Sequence, residues 1–267
     1  MVRQPVVAGQ FYTGDARHLK KQLGSFIGER GAGEKVLGII APHAGYVYSG
    51  AVAGAVYGAV QVPGTVVILG PNHHGRGSRA AVYPAGEWLT PLGSVPINSG
   101  LVELLFRNSP LLEEDSLAHQ YEHSLEVQVP FLQFVRPDVT IVPICLGFGD
   151  LASCRSLGSA LAKSIGEYGK EVLVVASSDM THYEPAEVAK RKDNLALREV
   201  LALNPEGLYS VVRGAGITMC GIIPATVMLV DALERGATRS ELVCYATSGD
   251  VSGDFGQVVG YAAVAVS

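Results

Sequence analysis

Three short segments set metal-binding or proton-moving residues directly after apolar, β-branched runs. In Ile39-Ile40-Ala41-Pro42-His43-Ala44-Gly45-Tyr46, a histidine follows what reads as a buried strand and precedes a glycine turn. Ile68-Leu69-Gly70-Pro71-Asn72-His73-His74-Gly75 repeats the order: apolar run, Gly-Pro break, histidine. Neutral imidazole is both the commonest metal ligand and an acid/base that works near neutral pH. One such histidine is most simply a hydrogen-bonded structural residue. Two at matching strand ends point instead to a shared site. The third segment, Val174-Val175-Ala176-Ser177-Ser178-Asp179-Met180-Thr181-His182-Tyr183, puts Asp179 three residues before His182. At that spacing the carboxylate can orient the imidazole as a base or hold a metal-bound water. The plainer alternative is a polar turn that opens a helix near Pro185, with His182 merely exposed.

A fourth segment, Tyr121-Glu122-His123-Ser124-Leu125-Glu126, reads as the start of a helix. There His123 and Glu126 share a face at i, i+3 and could contact a ligand or support the metal-binding shell. A surface Glu near a helix N-terminus, where the dipole favours it, is an equally simple reading. Of the four cysteines, Cys145, Cys154 and Cys244 lie in or beside apolar runs and read as buried, inert thiols. Cys220 differs, because it follows Gly214-Ala215-Gly216-Ile217-Thr218 and precedes Gly221-Ile222-Ile223-Pro224, a glycine-flanked turn. The absence of a C-x-x-C pair in a chain this long makes reduced thiols the default.

These residues need a scaffold that presents strand ends side by side. Runs rich in β-branched residues at 36–40, 65–69, 139–146, 171–176, 241–247 and 258–266 read as strands. Segments 49–60, 100–106, 123–135, 151–168, 187–203 and 224–234 have apolar residues at three- and four-residue spacing and read as helices. The alternation predicts a single α/β domain over 1–267, with a mostly parallel central sheet flanked by helices and the last two strands antiparallel at one edge. In such sheets, sites form just beyond the carboxyl ends of the strands, where these residues fall.

The bulk composition narrows the function classes. Hydrophobic residues make up 48% and charged residues 17% of the 267, which suits a sheet covered on both faces. A formal charge of -5 with no basic stripe argues against nucleic acid. No apolar run reaches the roughly 18 residues of a membrane span, and the N-terminus has no basic-then-apolar leader, so a cytoplasmic location is expected. The apolar composition would suit a homo-oligomer. No G-x-G-x-x-G, Walker loop or G-x-S-x-G elbow occurs, which disfavours dinucleotide, nucleotide and α/β-hydrolase chemistry.

Taken in order, A-P-H-A-G-Y at 41–46, G-P-N-H-H at 70–74, E-H-S-L-E at 122–126, S-S-D-M-T-H at 177–182 and T-M-C-G-I-I-P at 218–224 resemble the Memo family, whose prokaryotic members are called AmmeMemoRadiSam system protein B. The five motifs cover nearly the whole chain. The resemblance implies a fold similar to the catalytic subunit of class III extradiol ring-cleaving dioxygenases, with a non-haem metal site. It implies His43, His73 and Cys220 as metal ligands, Asp179 and His182 lining the pocket, and His74 as a structural or supporting group. Asp179 and His182 are expected to be catalytic, and His123, Glu126 and Tyr46 to be supporting or substrate-contacting groups. Iron(II) is the expected metal, with copper or zinc as alternatives. A cysteine where extradiol enzymes carry a carboxylate makes the centre softer and itself oxidisable, so catechol cleavage does not transfer. The expectation is a metal-dependent, dioxygenase-like oxidoreductase acting on a small molecule or modified residue. The alternatives are a metal-dependent hydrolase and a metal-binding or adaptor protein without catalysis. The family name also implies AMMECR-type and radical SAM proteins as partners.

Overall fold

The computed structural model describes residues 1–29, 31 and 33–267. In chain order the elements are β1 (Val2–Arg3), α1 (Ala16–Ile27), β2 (Gly38–Ala41), α2 (Tyr46–Ala59), β3 (Thr65–Pro71), β4 (Ala80–Val82), β5 (Glu87–Thr90), β6 (Gly93–Pro96) and α3 (Ser99–Asn108). They continue with β7 (Glu113–Glu114), a 3-10 turn (Glu126–Gln128), α4 (Val129–Val135), β8 (Thr140–Leu146), α5 (Leu151–Tyr168), β9 (Leu173–Ser177), β10 (His182–Glu184) and α6 (Ala186–Leu201). The chain closes with α7 (Pro205–Gly214), α8 (Ile222–Glu234), β11 (Ser240–Thr247), α9 (Gly249–Ser252) and β12 (Val258–Val266).

The main sheet runs β10-β12-β2-β9-β3-β8-β4-β7, with β11 paired to β12. Its centre, β2-β9-β3-β8, is parallel. Every residue of β2, β3 and β9 is buried, as expected for strands covered on both faces. Antiparallel pairs flank this centre, β12 against β2 on one side and β4 against β8 on the other. A small second sheet, β1-β5-β6, ties down the N-terminus. Among the described residues no helix is long and apolar enough to cross a membrane.

The six expected strands and the α/β alternation are present, with β11 and β12 forming the expected antiparallel pair. The helix expected over 123–135 is shorter: its start is irregular, and regular helix begins only at Val129, just before Pro130. Proline is well tolerated in a first turn but not deeper in a helix. Helices α1 and α7 and the short strands β4 to β7 went unread in the sequence. Both helices have side-chain caps: Asp15 accepts from the His18 amide and Asn204 from the Gly207 amide.

At the end of the sheet away from the strand-end histidines, α8 carries the fully buried Asp231, paired with Arg235 at 2.9 Å. Arg235 also donates to the carbonyls of Leu37 and Val172, beside the starts of β2 and β9. One Asp231 oxygen has no hydrogen-bond partner, and burial pushes this carboxyl up to about 7 despite the guanidinium. A carboxyl with a raised folded-state pKa stays protonated in the fold while the unfolded chain ionises. Its contribution is therefore lost as pH rises from about 4 toward 7. Asp231→Asn should make the decline in stability over that range shallower in urea unfolding; an unchanged slope would contradict this.

Candidate metal centre

The sheet order explains why residues far apart in sequence meet. Strand β9 lies between β2 and β3, with Ala41 opposite Ser177 and Leu69 opposite Ala176. The segments leaving the carboxyl ends of these three strands carry His43, His73 and Asp179. The loop with Glu122, His123 and Ser124 closes over them. It can approach because residue 70 is glycine: a Cβ there would lie 2.6 Å from Leu125 Cδ1 and 2.7 Å from Ser124 Oγ. Ser124 also donates to the Pro71 carbonyl at 3.2 Å.

His43, His73 and His123 each offer a donor atom within 4.8 Å of the others'. The ring centroids of His43 lie 5.2 Å from His73 and 5.5 Å from His123, both edge-on, while His73 and His123 stack at 4.7 Å. Burial, reinforced by the neighbouring imidazoles, holds the His43 pKa well below its ordinary value. Burial likewise takes His123 down to about 4. Both are neutral at pH 7 and so have a lone pair available for a metal.

Hydrogen bonds decide which nitrogen carries that lone pair. His43 Nδ1 lies 3.0 Å from Ser177 Oγ. That hydroxyl already gives its only proton to the Ser124 carbonyl at 2.6 Å and accepts from Gln128 Nε2 at 2.8 Å. It can only accept from His43, so the proton sits on Nδ1 and the lone pair on Nε2. His73 also has its Nδ1 fixed as the donor, here by a carboxylate. Its Nδ1 lies 2.8 Å from Glu122 Oε1, and its amide donates to Oε2 at 2.7 Å. Burial alone would raise Glu122, but its bond to His73 and the Ser124 amide hold it down at about 2, so it is a carboxylate that only accepts.

Cys220 precedes α8 and sets Sγ 3.2 Å from His43 Nε2, where it also receives the Asp179 amide at 3.3 Å. The glycine after it is required by space, since a Cβ on Gly221 would fall 2.3 Å from Ser178 Cβ. Burial, then the charge of Asp179, pushes the thiol well up. Asp179 accepts from the His43 amide at 2.7 Å, and burial raises its carboxyl to about 6. The expected orientation of His182 by Asp179 is replaced by another device: His182 Nδ1 donates to the Thr218 carbonyl at 3.0 Å, which leaves its Nε2 free.

One other expectation changes. Glu126 does not share a helix face with His123. Its carboxylate is buried and faces the N-terminal segment, accepting from the amides of Val6 and Val7 and from Tyr12, and pairing with Arg3 at 2.7 Å. Tyr46 lies in the core, packed on Tyr12 and Phe131, with its hydroxyl donated to the Val127 carbonyl, so it braces the segment that follows His123. His74 is exposed and bonded to the Tyr121 carbonyl. Sequence reading missed Glu122, Ser177, Gln128 and Arg3. Of these only Glu122, adjacent to His123, had a local signal. A cleft of about 710 Å³ at the opposite end of the sheet, lined by Leu37, Val62, Val172 and Arg235 among others, contains none of these groups.

An α/β sheet with imidazoles and a thiol gathered beyond its parallel strand ends defines a candidate metal-binding protein. The family described as Memo-like protein matches residues 3–265, and the chain belongs to the Memo family. It is 43% identical to a MEMO1 family protein of Methanopyrus kandleri, over 99% of this chain and 98% of that one. It is also 43% identical to a MEMO1 family protein of Methanosarcina barkeri, over 99% of this chain and all of that one. Among solved structures it resembles an uncharacterized Escherichia coli K12 protein, with a TM-score of 0.56 at 13% identity, covering 85% of this chain and 98% of the other. That likeness concerns the fold alone.

Because Glu126 neutralises a buried guanidinium, Glu126→Gln should cost about 3–5 kcal/mol in urea unfolding. A change of under about 0.5 kcal/mol, the usual range for a surface substitution, would contradict the clamp.

Proposed function

We propose that this chain is a metal-dependent enzyme, with iron(II) held by His43, His73 and Cys220, acting oxidatively on a small molecule with dioxygen as the oxidant. One observation carries the reading: two imidazoles, His43 and His73, are each fixed by a different partner with Nδ1 as the donor, the arrangement that leaves Nε2 for a metal. A structural histidine needs no such pair of arrangements meeting at one place.

The donor chemistry fits a borderline or soft divalent ion, copper and zinc included. The three imidazoles of His43, His73 and His123 alone bring donor atoms within 4.8 Å of one another, so His123 is a competing third ligand. Cys220 is preferred on the family resemblance and on its contact with His43. Cys220 Sγ already faces the free nitrogen of His43. A bound metal would supply Lewis acidity and electron transfer. The chain's own residues would do the rest: Glu122 and Ser177 keep the imidazoles aligned, and His182 receives or returns a proton at Nε2. The His73 side chain is 30% exposed, which supports a centre open to substrate over a closed structural site.

Anaerobic titration with iron(II) should give about one ion per chain, as one site requires. His43→Ala, His73→Ala and Cys220→Ser should each weaken binding beyond the roughly 100-fold ceiling for outer partners, and Glu122→Gln by about 10–100-fold. Unchanged affinity in Cys220→Ser would remove that ligand. Tight zinc binding with no oxygen uptake would favour hydrolysis instead.

A further inference from the structure

Strand β10 contains an irregularity that the fold does not need. His182 pairs with Val259 and Glu184 with Val258, and the register shifts between them, so Tyr183 is an extra residue in the strand. It adopts φ +58°, a left-handed conformation that costs a non-glycine residue free energy and suits glycine or asparagine. Leu203 is the other non-glycine residue with positive φ among those described. It follows the end of α6, where such a turn is ordinary, and its side chain packs against the core.

Tyr183 has no such justification. It is 73% exposed, so its ring adds little packing. Its ring contact is with His182, at 5.9 Å between centroids. The flanking residues hold it in place: the His182 amide donates to Thr218 Oγ1, and Glu184 pairs with Lys192. Bulges of this kind re-aim a side chain beside functional sites. Tyr183 neighbours the His182 ring, which is bonded to Thr218, two residues before Cys220. The Phe11 ring centroid lies 4.8 Å from that of His123.

We propose that Tyr183 is a substrate-binding platform, held out by the β10 bulge beside His182, that selects a flat, unsaturated ring over a puckered one. The proposal rests on the reading of this site as the place where a small molecule binds, but not on the metal. The exposed π face stacks on the planar ring, which then lies beside the free Nε2 of His182.

The test compares benzohydroxamate with cyclohexanehydroxamate, which share a head group and differ in ring shape, on zinc-loaded and on metal-free protein by ligand-observed NMR. The wild type and Tyr183→Phe should prefer the flat ligand by about three- to tenfold. In Tyr183→Ala and Tyr183→Gly the ratio should fall to about one. If the metal reading alone fails, zinc will not tighten either ligand and the ratio will persist, so the two failures differ. A ratio that survives Tyr183→Ala, equal binding in the wild type, or no binding of either ligand overturns the proposal. Tyr183→Gly should melt no lower than the wild type, since the strain is relieved; a marked drop would mean that the ring supports the fold, and would overturn it too.

Discussion

The Glu122 carboxylate is the constraint on which the centre depends. A buried charge is tolerable only when its acceptor sites are filled. Here they take the amide and ring of His73 and the amide of Ser124. One side chain therefore fixes the loop, the turn after β3 and the state of an imidazole together. Ser177 does the same for His43 without a charge, because a hydroxyl that has given away its proton can only accept. The loop links the two devices: Ser124 lends its amide to Glu122 and its carbonyl to Ser177.

This arrangement separates stability from chemistry. The polar groups that hold the site are satisfied within the protein, while the nitrogen left over on His43 faces only a neighbouring thiol. Cys220 occupies that position beside His43 Nε2. Metal binding would replace a shared thiol proton, leaving the surrounding hydrogen bonds in place. The sheet makes this economical, since three adjacent parallel strands deliver three loops to one edge.

His43, His73, Asp179 and His182 were legible because strand, break and polar residue follow each other along the chain. Cys220 was legible through the family resemblance and its glycine-flanked turn. What was hidden depends on contacts across the sheet. Glu122 acts on a residue of another loop, and Ser177 looks like any polar residue at a strand end. Glu126 misled because i, i+3 spacing implies a shared face only in a helix, and the chain at His123 is not yet helical. The orientation of His182 by Thr218 was unreadable because the partner is a backbone carbonyl. The β10 bulge was equally silent, since no glycine marks it.

The central claim is that His43 and His73 are fixed with the proton on Nδ1 before any metal arrives. Long-range ¹H–¹⁵N correlation spectra of the metal-free protein at neutral pH test it directly. Both rings should show a protonated Nδ1 and an unprotonated Nε2, with His73 changing in Glu122→Gln and His43 in Ser177→Ala. Protonation on Nε2 in either ring, or rapid averaging between the two forms in the wild type, would contradict the account.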